Sequence, residues 1–349
     1  MKKIRSVCAL FLVCALLLSV VSCGYSPVKS SKEEREAVLT LDGNFDVPYE
    51  LYRFYFLFEL SLSGVDTATL SEKEKTALFA ELHGKTVEEL SAVYAVLKLC
   101  AQYDIDTESR AFDAYVKESI TEVIDGVDGI GGYGDKDTYL AEIKKTYMND
   151  SVFRFLLRYR YAEKTLAAHL RDTGVLKSDK NTVLSYMNSD ECVRASWIYI
   201  PYTFLDGYTS DTLDAKEAQA KAASNADFLK LTHEIPPTAY TDEELDIGFY
   251  MGRYQLDPYY ATLTETVFSL DVGETSSWID SGDGKYIVRR LPKDADYLAD
   301  GKNLADFTEY YLLNSFYGLL AAESARIAQT ASPTAFYDTL TLDSVKMPD

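Results

Sequence analysis

The sequence predicts an α+β protein, a helical module followed by a smaller domain that mixes strands with helices. Three observations carry this. Over residues 48–170 apolar side chains recur at three- and four-residue spacing. Over residues 193–290 that period gives way to short β-branched and aromatic runs separated by Gly, Pro and Asp. The 349 residues are 47% hydrophobic, enough chain to build two domains of ordinary size.

The first element is a processing segment. Lys2, Lys3 and Arg5 precede an apolar run over residues 7–18 that is too short for a comfortable membrane span. Val20-Val21-Ser22-Cys23-Gly24 then sets small residues directly before a cysteine. This resembles a bacterial lipobox, with residues 1–22 a signal peptide and Cys23 the lipidated first residue of the mature chain. An ordinary secretory signal that contains a cysteine is the alternative. Acylation anchors a protein without spanning the bilayer, each buried methylene contributing about 0.8 kcal/mol. The expected location is therefore extracytoplasmic, on the outer face of the bacterial cell membrane. Residues 23–36, rich in serine and charge, read as a tether that lifts the folded part off the bilayer.

The helical module is expected over residues 37–180. Ala37-Val38-Leu39-Thr40-Leu41 alternates as a short strand, and Asp42-Gly43-Asn44 supplies a turn. Pro48 opens a helix with Leu51, Phe54, Tyr55, Phe58 and Leu62 at helical spacing. Leu90, Val93, Leu97 and Cys100 mark a helix over residues 87–103, and Phe112, Tyr115, Val116, Ile120 and Val123 mark the next. A glycine-rich break over residues 126–134 ends it. Leu140, Ile143 and Tyr147 define another helix, and Val152, Phe155, Leu156, Tyr159, Leu166 and Leu170 one more. Gly174 and a polar run form a joint, after which Val183, Leu184 and Met187 make a short helix. Residues 293–349 give a long helix bearing Phe307, Tyr310, Tyr311, Asn314 and Tyr317 on one face, then a strand, Thr339-Leu340-Thr341-Leu342.

Charge and motifs narrow the function. The chain holds 35 basic and 55 acidic residues; without the three basic residues of the signal, 32 against 55 leaves −23. Such a surface argues against nucleic acid and against anionic headgroups held by a basic patch. It suits solubility and a weak attraction for basic, unfolded polypeptide. In so acidic a chain, carboxylate pairs read as solvated surface. Outside the N-terminal segment only Cys100 and Cys192 remain. The apolar stripe around Cys100 reads as the place of a buried free thiol, with a disulfide between the two as the alternative. No HExxH, CxxC, GxSxG, Walker or GxGxxG motif and no metal-ligand spacing is present, so no cofactor or metal is expected.

The region over residues 190–292 carries the most information. It opens with the strand Val193-Arg194-Ala195-Ser196-Trp197-Ile198-Tyr199-Ile200 and passes through Asp246-Ile247-Gly248-Phe249-Tyr250 and Gln255-Leu256-Asp257-Pro258-Tyr259. It closes on Phe268-Ser269-Leu270-Asp271-Val272-Gly273-Glu274 and the strand Gly284-Lys285-Tyr286-Ile287-Val288-Arg289. That order resembles a parvulin-type peptidyl-prolyl isomerase domain, β-α-α-β-α-β-β. The strand, turn and helix that start the mature chain resemble the N-terminal module of SurA- and PrsA-type foldases. In that arrangement residues 293–349 return to complete the helical module.

The resemblance also implies a site. Leu256 and Tyr259 fall at pocket positions, where pocket and core are equally good readings, and Phe268 falls at a family Phe that reads as core. The two family histidines fall at Trp197 and Tyr286, neither of which titrates near neutrality. The loop that usually supplies Cys or Asp reads Glu234-Ile235-Pro236-Pro237-Thr238. Of three histidines, His83 and His169 lie in the helical module; His233 lies nearby, where a surface position is the expected one. Twisting an X-Pro bond crosses about 18–20 kcal/mol but needs neither nucleophile nor cofactor. An apolar pocket that prefers the twisted amide lowers the barrier by itself, and the Tyr286 hydroxyl is able to bond a substrate carbonyl. The substrate-binding set is thus Leu256, Tyr259, Phe268, Trp197 and Tyr286, without the catalytic pair. The implied function is a membrane-anchored chaperone or foldase for unfolded, nascent secreted or proline-containing polypeptide, with weak or lost isomerase activity. The alternatives are an active isomerase with a rebuilt pocket and an assembly lipoprotein with one fixed partner.

Overall fold

The computed structural model describes residues 25–127, 129–234, 240–254 and 260–348. The expected signal peptide and Cys23 lie outside the described residues, as do Leu256, Tyr259 and Pro236 to Thr238. The chain divides into two compact units, Met1–Leu170 with Leu319–Asp349, and Arg171–Gly318. None of the described helices is long and apolar enough to cross a membrane.

In the first unit β1 (Ala37–Leu41) pairs antiparallel with β2 (Phe45–Pro48), Leu39 opposite Val47 and Leu41 opposite Phe45. The expected lead-in to the first helix is thus a second strand, closed by Pro48, which cannot donate to a further ladder bond. Pro48 caps α1 (Tyr49–Ser63), and Gly64 ends it in the left-handed conformation. The helix buries Leu51, Tyr52, Tyr55 and Phe56, while Leu62 is exposed, so the apolar stripe is rotated from the predicted one. A capping box of Ser71 and Glu74 starts α2 (Glu72–Gln102) well before the predicted position, because the first turns are polar and carry no stripe to read. There follow α3 (Arg110–Asp125), the hairpin β3 (Gly126–Val127) and β4 (Ile130–Gly131), α4 (Lys136–Lys144) and α5 (Asp150–Asp172). Val93, Val116, Ile120, Ile143, Val152 and Leu157 meet in one core.

The segment expected to be a free tether packs on this unit instead. The Val28 amide donates to Asp150 Oδ2 (2.8 Å), Arg154 Nη2 to Tyr25 O (2.9 Å) and Lys136 Nζ to Ser26 O (2.7 Å). Tyr25 Oη donates to Asp125 (2.6 Å), Ser30 Oγ to Glu50, and Arg53 pairs with Glu34 at 3.0 Å. Burial pushes the Glu34 carboxyl up, but the Ser31 amide, Arg53 and Asn149 outweigh it and hold its pKa below the usual 4.5. Its folded pKa lies below the unfolded one, so this contribution is present above about pH 4.5 and is lost as the pH falls further. The partners Glu50, Arg53 and Asp150 are themselves buried. The reading of carboxylates as solvated surface fails at Glu50 and Asp150 for this reason.

The second unit opens with α6 (Lys180–Asn188) and β5 (Cys192–Pro201), the central strand of an antiparallel sheet ordered β6-β5-β8-β7. Between β5 and β6 (Phe249–Gly252) run α7 (Ser210–Ala222), α8 (Asn225–Thr232) and a short α9 (Asp242–Ile247), one helix more than the expected order. Then come α10 (Ala261–Ser269), β7 (Ile279–Ser281) and β8 (Gly284–Leu291). Ile198 and Ile287 pack on one face of the sheet with Ala220, Phe228 and Leu231 of α7 and α8. Val193, Ala195, Trp197 and Val288 pack on the other with Leu263 and Val267 of α10. Strand β5 is covered on both faces, which is why Trp197 to Ile200 reads as an unbroken apolar run. Gly248 (φ +75°) lets β6 approach β5, since a Cβ there would meet Ala195 O at 2.8 Å. The first part of α11 (Gly301–Ala328) covers the end of β6: Asn314 Oδ1 accepts from the Tyr254 amide at 3.1 Å, and Tyr310 Oη from the Gly252 amide.

The chain end belongs to the first unit. Residues 319–328 of α11 carry Glu323 and Arg326, which with Lys98 and Asp42 form an ion network at 2.6–2.9 Å. The short strand β9 (Ser332–Pro333) pairs with β1. The strand predicted at Thr339 to Leu342 is absent there. Thr339 closes a 3-10 turn and the Thr341 amide donates to Ser344 Oγ at 2.7 Å, so local hydroxyl bonds outcompete β-propensity. Leu342 is nevertheless buried, as a single side chain in the core.

Cys100 and Cys192 are both free and buried. Burial pushes the Cys100 thiol up to about 11 and the Cys192 thiol up to about 12. At pH 8 the thiolate of Cys100 is then roughly a thousandth of the total. A thiol-reactive chromophore is expected to leave Cys100 and Cys192 unlabelled within minutes in the native protein and to label both after denaturation; rapid native labelling of either would refute the burial.

Candidate functional site

The face of the four-stranded sheet that carries Trp197 and Tyr286 combines aliphatic side chains with a cluster of aromatic rings. Alternation along β5 sends Val193, Ala195, Trp197 and Tyr199 to this face. The antiparallel register sets Trp197 opposite Val288 and Tyr199 opposite Tyr286. Trp197 and Tyr286 are therefore diagonal neighbours rather than a directly facing pair. Trp197 lies flat on Phe249 of β6 (centroids 4.3 Å, 15° between planes), with Tyr240 edge-on at 6.0 Å. Tyr199 stacks on Tyr286 at 4.8 Å.

Both sequence-predicted positions are buried, Trp197 to 7% exposure and Tyr286 to 2%. The Tyr286 hydroxyl donates to Asp283 Oδ1 at 3.0 Å, in the turn before β8. Burial first, and then Asp283, push the phenols of Tyr286 and Tyr199 up, so neither ionises in the physiological range. To bond a substrate carbonyl, the Tyr286 proton would have to leave Asp283. The Trp197 indole N–H makes no well-formed hydrogen bond among the described residues, although it faces the Tyr240 hydroxyl closely enough to oppose, weakly, the upward push of burial on that phenol.

Phe268 is half-buried at the end of α10, with the Arg253 guanidinium 4.6 Å above its ring and Glu191 holding that guanidinium at 3.2 Å. It packs, partly buried, on the same core as Trp197. His233 is engaged by Asp246 (2.9 Å) and Asp242 (3.4 Å) at the end of α8. His83 lies in the first unit, bonded to the Tyr52 hydroxyl at 3.0 Å, and burial pushes its pKa down. Among the described residues no three metal-ligating side chains gather.

Sequence reasoning missed Tyr199, Tyr240, Phe249 and Asp283. The two-residue period marks Tyr199, two positions after Trp197 on one strand. Asp283, between Gly282 and Gly284, reads as turn chemistry, and nothing local links it to a phenol. Chemically, the described part of this face offers apolar contact and ring faces, with the Tyr199 and Tyr286 phenols held protonated.

In class, this is an antiparallel sheet covered by helices on both faces within a mixed α+β chain. No protein-family model and no curated protein matches the chain. Solved structures to which it is similar include PrsA foldases from several bacteria. One is PrsA from Bacillus subtilis, at 16% identity, covering 84% of this chain and 93% of that one with a TM-score of 0.27. Another is the foldase protein PrsA from Streptococcus pneumoniae, at 15% identity over 70% and 84%, TM-score 0.27. A third is PrsA from Lactococcus lactis, at 13% identity over 86% and 95%, TM-score 0.26.

Proposed function

We propose that this protein is a lipid-anchored extracytoplasmic chaperone or foldase that binds unfolded, proline-containing secreted polypeptide, with weak or lost prolyl isomerase activity. One observation carries the second clause: Trp197 and Tyr286, at the positions of the resembled family's histidines, are buried in a layer rich in aromatic rings, with the Tyr286 hydroxyl committed to Asp283. A catalyst must favour the twisted amide over both planar forms. Aromatic faces hold a proline ring in either isomer about equally, and uniform binding does not lower the barrier. Leu256 and Tyr259 are proposed to complete the substrate contact. The whole chain is acidic, which suits weak, sequence-tolerant attraction for basic unfolded segments.

The test pairs two assays on the intact protein. In a protease-coupled assay on a panel of X-Pro peptides, exchange is expected to stay near its uncatalysed rate of tens to hundreds of seconds. Suppression of aggregation of several unrelated unfolded proteins is expected alongside. Fast exchange that is lost on Tyr259→Ala or Tyr286→Phe would establish the active-isomerase alternative. Tight binding of a single protein, with no general suppression, would establish the fixed-partner alternative.

A further inference from the structure

We propose that residues 25–35 are a strap integral to the first unit, so that an acyl group on Cys23 seats this unit directly against the lipid headgroup layer with no free spacer. The second half of this statement rests on the anchoring in the function proposed above. The first half rests on geometry alone. A spacer has solvated backbone and no long-range partners. Here the backbone of residues 25–28 is held from two elements: Tyr25 O by Arg154 and the Val28 amide by Asp150, both on α5, and Ser26 O by Lys136 on α4. Tyr25 Oη reaches Asp125 at the end of α3. Farther along, Ser30 donates to Glu50, and Glu34 takes both Arg53 and Asn149. Asp150 and Glu50 are 2% and 5% exposed, so the strap is stitched to buried charges, not to surface groups that water could replace.

Chain reach supplies the partner. Cys23 is two residues from Tyr25, so its Cα lies within about 7 Å of the Tyr25 Cα. A lipid at that point leaves room for nothing but headgroups between the bilayer and the surface around Tyr25. That surface holds a cleft of about 640 Å³ lined among others by Tyr25, Val28, Lys117, Arg154, Phe155 and Arg158. Arg154 and Arg158 are already paired with Asp150 and Asp113, so reach and not charge sets the contact. Neutral vesicles should therefore serve as well as anionic ones.

The test uses the acylated full-length mature protein with a donor dye on Lys29→Cys, the two native thiols being buried. Energy transfer to a headgroup dye in phosphatidylcholine vesicles is expected to be efficient, and to change less than about two-fold in phosphatidylglycerol. Inserting about twelve Gly/Ser residues between Gly24 and Tyr25 adds roughly 20 Å of coil and should cut the transfer at least two-fold. Equal transfer with and without the insert would overturn the seat. In soluble Cys23→Ala protein the Val28 amide is expected to exchange at least about a hundred-fold more slowly than a free peptide; exchange at the free rate overturns the strap. A mature chain whose mass shows no acyl group overturns the anchor and the seat together, and Val28 protection then decides the strap on its own.

Discussion

Replacing Trp197 with alanine is expected to destabilise the second unit by about 3–5 kcal/mol, the range for truncating a large buried aromatic side chain. The indole is nearly free of solvent and is the largest ring on its face of the sheet, so the substitution removes its transfer term and leaves a cavity. That cavity is bounded by strands β5, β6 and β8, whose ladder bonds prevent collapse. The stack on Phe249 and the edge contact with Tyr240 are lost as well, at about 0.5–1.5 kcal/mol per aromatic pair. The experiment has a built-in reporter. The chain has two tryptophans, and Trp278, whose Nε1 donates to Leu213 O at 3.0 Å, lies in the same unit. Its fluorescence follows unfolding by urea in the variant. Trp197→Phe, which keeps a ring against Phe249, should lose less than half as much. A midpoint unmoved by Trp197→Ala would show that the indole is not a core residue, and the account of a filled aromatic face would fall.

Trp197→His is a different matter. It restores the residue type of the resembled family but sets an imidazole between Phe249 and Tyr240, next to a Tyr286 already committed to Asp283. The change reproduces one residue of a polar network without its neighbours. No gain in isomerase activity is expected in the protease-coupled assay, and a gain of ten-fold or more would mean that the site is one substitution away from catalysis.

What the sequence made legible follows from the range of the forces involved. Strand β5 and the stripes of α2, α3 and α5 are visible because burial imposes a local period on the side chains. The start of α2 is invisible to that period, since its first turns are solvated and only the Ser71 and Glu74 box marks them. Strand β2 was hidden by the proline that ends it, and the predicted strand near Thr341 was undone by hydroxyl groups that bond their own backbone. At the candidate site, the positions of Trp197 and Tyr286 were legible. Their partners were not, because Phe249 and Asp283 join them only through the sheet register and the hairpin turn. The strap is the hardest case. Its composition is that of a linker, and the groups that hold it are far along the chain: Val28 and Asp150 are 122 positions apart.

Asp150 is where the second large effect is expected. Asp150→Ala should destabilise the first unit by about 3–5 kcal/mol, the range for removing one partner of a buried ion pair. The carboxylate is 1% exposed at its side chain and accepts three hydrogen bonds: from the Val28 amide, from Tyr139 Oη at 3.0 Å and from Arg154 Nε at 2.8 Å. Alanine leaves all three donors behind. Tyr139 is fully buried, so its hydroxyl meets no water, and an unmade bond costs about 1–3 kcal/mol there. The Arg154 guanidinium keeps Tyr25 O but loses its counter-charge. Asp150 is also the first residue of α5, where a negative side chain is favoured by the helix dipole by about 0.3–1 kcal/mol. Asp150→Asn separates these contributions: it keeps one acceptor oxygen and the shape, and should cost about half as much. The two measurements differ in place. The loss of helical circular dichroism with temperature reads the whole unit, whereas amide exchange at Val28 reads the strap. In Asp150→Ala Val28 should lose protection before the core helices do, because the acceptor of its amide is the group removed, whereas Asp150→Asn should keep part of that protection. If Asp150→Ala melts with the parent protein, the buried carboxylate is not holding the strap to the helices. If instead the core loses protection and Val28 keeps it, the strap is held elsewhere, and the tie between the N-terminal segment and α5 is not the one that matters.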